Sequence, residues 1–325
     1  MVQTVLVGAG AGATAALLFA VASGTALSLL LALLAPLPIL IVALGWSSAA
    51  GIVASISAAA MLGASLGFPT SLGFLLGVGA PASWLGYLSL LARPAHNGAA
   101  SNLEWYPTGR LVLWAAVLGT VMVVVSLMIT LGTEWPTFQA ELRKVTEEIV
   151  ELQARAGRDP AAVERLTTKE MIDALTATLP GAVAVFATLI NCFNLWLAGR
   201  IVHVSGRLRR PWPDLPAMQL PPLAPAILAA SLVGLWLPEF ASFIAASFAA
   251  SLITVFTFVG LAVMHAITRG IASRPLMLAA LYVSIVPLAG LPLLLASLLG
   301  LAESVLNIRA RVAASRPPPP PYSRI

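Results

Sequence analysis

LSLLLALLAPLPILIVALGW, residues Leu27–Trp46, is a run of twenty residues without a charge. A helix of about 20 apolar residues is long enough to cross the hydrocarbon core of a bilayer. The run is continuous, whereas a strand of a membrane barrel alternates apolar and polar side chains over about ten residues. The stretch therefore predicts helix inside a membrane and excludes a barrel.

The same character extends along much of the chain. Arg93 is the first charged residue, so residues 1–92 carry no charge. Of the 325 residues, 59% are hydrophobic and only 10% are charged, and the mean hydropathy is +0.94. Soluble domains contain about 25% charged residues. We therefore predict an all-α, polytopic helical membrane protein with about eight to ten transmembrane segments.

Residues that carry enzymatic or metal chemistry are scarce. Cys192 is the single cysteine, which excludes an internal disulfide and a thiolate cluster for zinc. The three histidines form no three-ligand metal set, and no phosphate-binding P-loop is present. We expect no catalytic residues, no metal and no cofactor. The net charge of +5 is typical of arginine-rich cytoplasmic loops, so we expect the lipid bilayer as a partner and no nucleic acid.

The distribution of charge orients the predicted helices. Twelve arginines lie in three loops, 93–110, 200–214 and 269–274, and in the tail from Arg309. The segment 134–173 instead has six basic and nine acidic residues. Because cytoplasmic loops accumulate Lys and Arg, both termini are predicted to be cytoplasmic, which requires an even number of passes. We favour ten, with residues 275–308 forming two short passes, and keep eight as the alternative.

The chain divides into four parts. They are N-terminal membrane helices (1–133), an external amphipathic helical insertion (134–178), C-terminal membrane helices (179–312) and a disordered proline-rich tail (313–325). In the insertion an apolar residue recurs every three or four positions, at Phe138, Leu142, Val145, Ile149 and Leu152. This spacing predicts one apolar helical stripe, and Asp159-Pro160 predicts the start of a second helix.

Asn191 and Asn194 are polar residues near the middle of a predicted pass, and they share one helical face. A buried amide requires hydrogen-bond partners, and polar groups inside a membrane either line a substrate path or join helices. We therefore treat both asparagines as candidate ligand-binding residues, with hydrogen bonding between helices as the alternative.

A second polar group lies where the last apolar run ends, in LLGLAESVLNIRARV, residues Leu298–Val312. In a helix, Glu303 and Asn307 would share a face, and Arg309 could reach back to the carboxylate. A carboxylate within about two turns of the membrane surface is tolerated because water and snorkelling side chains are near. We predict a helix end held at the interface, with Glu303, Asn307, Arg309 and Arg311 as a hypothetical cytoplasmic mouth or partner contact.

Gly8, Gly12 and Ala16 form a stripe of small residues on the first helix. Such stripes allow membrane helices to approach closely. The stripe is predicted to pack against another helix of the chain or to dock a helix of another protein.

Four stretches in order resemble the YybS-like predicted bacterial inner-membrane proteins, a family of unknown function. They are APLPILIVALGWSSAAGIVAS (Ala35–Ser55), NLWLAGRIVHVSGRLRRPWPDLPAMQLP (Asn194–Pro221), FVGLAVMHAITRG (Phe258–Gly270) and LLGLAESVLNIRAR (Leu298–Arg311). That family is in turn similar to the substrate-binding S components of energy-coupling-factor transporters. The resemblance implies an S-component-like core in the bacterial inner membrane, and it makes the stripe at Gly8, Gly12 and Ala16 a docking face for a coupling protein.

Two functions agree with these features. The first is S-component-like binding of a small, partly polar molecule between the helices, followed by its transfer across the membrane. The second is a scaffold without transport activity, which recruits partner proteins through the basic loop 205–215 and the external helices. Nucleotide hydrolysis by the chain itself is not expected, because no P-loop is present.

Overall fold

The computed structural model describes residues 1–21, 25–94, 103–156 and 168–314, and most of them are helical. The helices before Glu134 are α1 (Val2–Ala20), α2 (Ala26–Leu33), α3 (Pro36–Gly45), α4 (Ser48–Leu66), α5 (Phe68–Phe74), α6 (Ala80–Ser89) and α7 (Thr108–Leu131). The later helices are α8 (Trp135–Ala156), α9 (Lys169–Val204), α10 (Ala224–Val233), α11 (Glu239–Ile267), α12 (Arg274–Ser284), α13 (Leu291–Leu306) and α14 (Ile308–Ala314). The prediction of a polytopic helical membrane protein is confirmed.

The Leu27–Trp46 run lies in two helices that together form one span. Thr25 caps α2, because its hydroxyl accepts the N–H of Ser28 while the Ser28 hydroxyl accepts the N–H of Thr25. The helix is interrupted at Leu34 and Ala35, and Pro36 starts α3 because proline has no N–H to donate and fits the first turn of a helix. Residues Ala26–Gly45 are long and apolar enough to cross a membrane.

The small-residue stripe of α1 packs against α4. A Cβ atom at Gly12 would lie 2.5 Å from the carbonyl oxygen of Ala54, and one at Gly8 would lie 2.8 Å from the Val53 side chain. Ala16 is also buried. Successive residues of α1 meet successive residues of α4, so the two helices run in the same direction. The stripe is therefore occupied within the chain.

The arginine-rich loops meet at one end of the bundle. The Arg207 guanidinium lies over the Trp46 ring, 4.3 Å from its centroid. Arg269, in the turn after α11, donates from Nη2 to Oδ1 of Asp214, in the loop after α9, at 2.8 Å. We call this end the basic face and define it by Arg207, Arg209, Arg210, Arg269 and Arg309. The opposite end, where α7 ends before Glu134 and α11 begins at Glu239, is the acidic face.

Seven helical segments are long and apolar enough to cross a membrane, or eight if the bent pair α13 and α14 is one span. We interpret the shorter apolar helix Ala224–Trp236 as a further crossing, because it connects the basic-face loop to α11 at the acidic face. The chain then crosses eight times up to the end of α11. Because α1 runs parallel to α4, Met1 lies at the basic face.

Residues 274–306 leave the basic face and return to it. Arg309, just after α13, donates to the carbonyl oxygen of Pro216, two residues from the Asp214 that binds Arg269. α12 has 11 residues and is only about 16 Å long. The Thr257 hydroxyl donates to Leu293 O near the start of α13, about 15 Å from the basic end of α11, or half the depth of a bilayer. We interpret α12 and α13 as a re-entrant helix pair, an interpretation that favours the alternative of eight crossings over ten.

Helix α8 packs against the acidic face through the first part of the predicted stripe. Phe138 and Leu142 are buried, and Phe138 contacts the ring of Phe243 at a centroid distance of 4.9 Å. Ile149 and Leu152 are exposed instead, so the second half of the stripe does not pack against the bundle.

The predicted boundary at residues 178 and 179 falls inside one continuous helix, α9. With 36 residues this helix is about 54 Å long, which exceeds the roughly 30 Å core of a bilayer. Its first turns therefore extend beyond the acidic face, where Arg143 of α8 pairs with Asp173. The predicted helix at Asp159-Pro160 and the tail residues 315–325 lie outside the described residues.

A small antiparallel hairpin replaces part of the predicted polar loop. β1 (Ala92–Pro94) pairs with β2 (Leu103–Trp105), with Arg93 opposite Glu104. The Arg93 Nε–Glu104 Oε2 distance is 2.7 Å, and both side chains are exposed. Strands of three residues carry too little alternating pattern for the sequence to predict them.

Candidate functional site

The two predicted ligand-binding asparagines bond to neighbouring helices. Asn191 Nδ2 donates to Ala115 O of α7 at 3.2 Å. Asn194 Nδ2 donates to Leu33 O of α2 at 2.9 Å and to Ile190 O at 3.0 Å. Neither residue is among those that line the cavity described next. The structure thus places both amides in helix–helix contacts, and ligand binding by either residue stays a prediction.

A cavity of about 440 Å³ lies near the basic face. Its walls are α7, α9 and α11, and the segment Leu208–Met218 closes its basic end. Apolar side chains form most of the lining: Leu44, Leu111, Val112, Leu195, Trp196, Leu208, Trp212, Pro213, Leu215, Pro216, Met218, Phe258, Leu261 and Ala262. The volume lies within the range of about 300–1,000 Å³ that small-molecule sites occupy.

The segment that closes the cavity is held by aromatic and apolar contacts. Trp212 lies beside two residues of α9, with Arg200 5.4 Å from its ring and the His203 ring 5.3 Å away. Met218 is buried and belongs to the same apolar cluster as Val259 and Val263 of α11. The prolines at 211, 213 and 216 prevent a regular helix here, so the chain runs across the end of the cavity in extended and turn conformations.

The polar side chains that line the cavity belong to Ser89, Thr108, Arg210 and His265, and the first three are joined by hydrogen bonds. Arg210 Nη2 donates to the Thr108 hydroxyl at 3.2 Å, and Nη1 donates to Ser89 O at 3.5 Å. Burial lowers the pKa of the Arg210 guanidinium, but arginine starts from a pKa above about 12 and stays charged near neutral pH. The cavity is therefore an apolar space with a cation at one edge.

A buried ion pair ties the last helices to the segment that closes the cavity. Glu303 accepts from Arg309 twice, from Nε at 2.8 Å and from the backbone N–H at 3.0 Å. Their side chains are only 6% and 13% exposed. The two Nη atoms of Arg309 donate to Pro216 O at 2.6 Å and Met218 O at 2.9 Å. Arg309 thus holds residues 216–218 against the end of the bundle.

The helix geometry around this ion pair differs from the sequence prediction. α13 ends at Leu306, and Asn307 has a positive φ of 49°, so α13 and α14 meet at a bend of 72°. Glu303 and Asn307 therefore do not share a helical face. Asn307 and Arg311 are exposed, whereas Glu303 and Arg309 face the protein. The left-handed conformation at Asn307 is one that asparagine adopts more readily than most residues.

Sequence analysis does not predict the contribution of Arg210. It treats the stretch 205–215 as a basic loop, and the signal that could identify the site is Trp212 and three prolines interleaved with arginines. Within the described ranges, no group of three His, Cys, Asp or Glu side chains is placed to hold a metal ion. The arrangement is suited to binding an apolar or amphiphilic molecule.

Comparison with known proteins gives one family. A family model described as "Predicted membrane protein (DUF2232)" matches residues 12–303, which is most of the chain and includes every residue that lines the cavity. No curated protein and no solved structure matches the chain.

Proposed function

The chain belongs to the DUF2232 family of predicted membrane proteins, and we propose that it binds a small molecule in the cavity between α7, α9 and α11. The observation that carries this proposal is the lining itself. The cavity is partly open to the surface, almost all of its walls are apolar side chains, and its volume of about 440 Å³ is within the range of small-molecule sites. The role proposed for the site is binding without enzymatic chemistry.

The position of the cavity supports access from the bilayer. Trp196 lines the cavity and is 47% exposed on the outer surface of the bundle. It lies eight residues before the end of α9, so it is about 12 Å from the basic end of that helix. A molecule dissolved in the membrane could enter beside this side chain.

The proposal includes the finer resemblance to YybS-like proteins and to S components of energy-coupling-factor transporters. In that form the bound molecule is handed across the membrane with the help of a coupling protein. The small-residue stripe of α1 packs on α4, so we do not assign the docking of such a partner to Gly8, Gly12 and Ala16.

The scaffold function is the weaker candidate. The basic loop has arginines that already bind the body of the protein: Arg207 lies over Trp46, and Arg209 Nη2 donates to Trp46 O at 3.3 Å. These contacts favour a loop that closes the cavity over a loop that recruits partners.

We also propose that the protein resides in the bacterial inner membrane with its basic face in the cytoplasm. Clustered arginines at that face support this orientation. A reporter enzyme active only in the periplasm is expected to be inactive when fused after Ile325 and active when inserted after Gly132. The opposite pattern would reverse the proposed orientation.

Filling the cavity tests the binding function. A Cβ atom at Gly199, which lines the cavity, would lie 3.8 Å from the Trp212 ring, an ordinary contact, so Gly199→Leu adds volume to the cavity without a backbone clash. We expect molecules extracted from the purified wild-type chain to include one species, identified by mass spectrometry, that is depleted at least about tenfold in Gly199→Leu. A tenfold loss corresponds to about 1.4 kcal/mol of binding free energy.

The matched control is Gly10→Leu, because a Cβ at Gly10 has no neighbour within 4 Å. This variant should retain the same extracted species as the wild type. If wild type and both variants carry the same molecules in equal amounts, the cavity is not the binding site and the proposal is wrong.

A further inference from the structure

The Arg210 guanidinium has hydrogen-bond capacity that the protein does not use. A guanidinium carries five N–H groups. The Thr108 hydroxyl and the Ser89 carbonyl each accept one of them. The remaining N–H groups have no acceptor among the described residues. Because Arg210 lines the cavity, these free donors are available to a molecule inside it.

No carboxylate of the described residues balances the charge of Arg210. The cavity lining contains neither Asp nor Glu. Asp214, the acidic residue nearest to Arg210 in sequence, pairs with Arg269 instead, at 2.8 Å. Arg309, by contrast, is buried next to Glu303. A partly buried cation without an anion is costly, so the site favours any ligand that supplies the missing negative charge.

The rest of the lining indicates the chemical character of the part of the ligand that carries the negative charge into the cavity. Apart from Arg210, its two neighbours and His265, the cavity is bounded almost entirely by apolar side chains of α7, α9, α11 and the segment Leu208–Met218. An inorganic anion would leave this apolar space filled with water, which apolar walls disfavour. We propose that the ligand is an amphiphile whose phosphate or carboxylate group binds Arg210 and whose apolar part fills the cavity, an inference that rests on the proposed binding function.

The geometry suits such a head group. A guanidinium binds phosphate or carboxylate oxygens through two parallel N–H donors. The Thr108 hydroxyl accepts from Arg210, so its own hydrogen is free to donate to the same anion. These groups lie at the basic end of α7, whose first residue is Thr108. The same chemistry would recognise a bilayer lipid or a free amphiphilic metabolite.

Thermal unfolding in a neutral detergent tests the inference with four probes: decyl phosphate, decanol, decyltrimethylammonium and inorganic phosphate. Decyl phosphate at about a hundredfold excess over its Kd is expected to raise the Tm of the wild type by about 5 °C. The other three probes should produce much smaller shifts. Arg210→Gln should weaken the apparent Kd for decyl phosphate at least about 30-fold.

Two variants control for folding and for non-specific charge effects. Arg209→Gln removes the neighbouring arginine, which is exposed and does not line the cavity, and it should respond like the wild type. Arg210→Lys retains the charge but not the planar donor pair, so it should keep part of the shift. The Lys variant keeps the test valid if Arg210→Gln does not fold.

The outcomes separate this inference from the binding function. Equal shifts with decanol and decyl phosphate would overturn the anionic ligand but leave a binding cavity, and equal shifts with inorganic phosphate would overturn the amphiphile. No shift with any probe, together with extracts in which Gly199→Leu matches the wild type, would overturn both. If phosphatidate in mixed micelles of phosphatidylcholine and the same detergent competes with decyl phosphate, the ligand is a bilayer lipid. If it does not compete, decyl phosphate binding supports a free amphiphile.

Discussion

Glu303→Ala is expected to destabilise the protein by about 3–5 kcal/mol, because it leaves the Arg309 guanidinium buried without its carboxylate. The pair is nearly inaccessible, with 6% and 13% of the two side chains exposed. Glu303 also accepts the backbone N–H of Arg309, so its loss removes a contact that fixes the bend between α13 and α14. Unfolding in detergent, followed by tryptophan fluorescence, measures the change in free energy.

The double variant Glu303→Ala/Arg309→Ala is expected to recover part of the lost stability, since it removes the unpaired cation together with its partner. Glu104→Ala is the matched control: it breaks an exposed pair with Arg93, and it should leave the midpoint of unfolding unchanged. A Glu303→Ala midpoint equal to that of Glu104→Ala would show that the buried pair contributes nothing to stability.

Gly260→Leu is expected to lower the free energy of unfolding by about 3 kcal/mol or more, because α11 and α13 cross in direct backbone contact. A Cβ atom at Gly260 would lie 1.7 Å from the carbonyl oxygen of Ala296, and one at Gly300 would lie 2.0 Å from that of Phe256. Small residues at a crossing point are the usual means by which membrane helices approach this closely. A leucine must push α13 away from α11, and Glu303 and Arg309 would move with it.

This variant is therefore expected to lose bound ligand as well as stability. Arg309 holds the carbonyls of Pro216 and Met218, and both residues line the cavity. Gly10→Leu, which adds the same side chain at an open position, should affect neither property. Retention of wild-type stability in Gly260→Leu would mean that the close contact between α11 and α13 does not form.

The membrane class and much of the architecture are predictable from the sequence because hydropathy and length act locally. Twenty uncharged residues at Leu27–Trp46 predict a span without knowledge of any neighbour. The clustering of arginines in three loops and the tail likewise predicts which loops share a face, since each loop is sorted by its own charge. The contact between Arg269 and Asp214 agrees with that sorting.

The site is less predictable because it depends on contacts between distant parts of the chain. Asn191 and Asn194 stand out in an apolar run, yet which partner an amide meets depends on the packing of α9 against α7 and α2. In the sequence Arg210 cannot be distinguished from the other loop arginines, because its contacts with Ser89 and Thr108 form only in the folded chain. The extra crossings predicted for residues 275–308 follow from counting apolar residues, which cannot distinguish a re-entrant pair from two full spans.

An experimental structure of the wild-type chain in lipid nanodiscs tests the central claim most directly, because it shows whether a molecule occupies the cavity. We predict elongated density that is not protein between α7, α9 and α11, with one end within hydrogen-bond distance of Arg210. The same density should be absent in Gly199→Leu. A wild-type cavity filled by its own side chains, or by ordered water alone, would contradict the account.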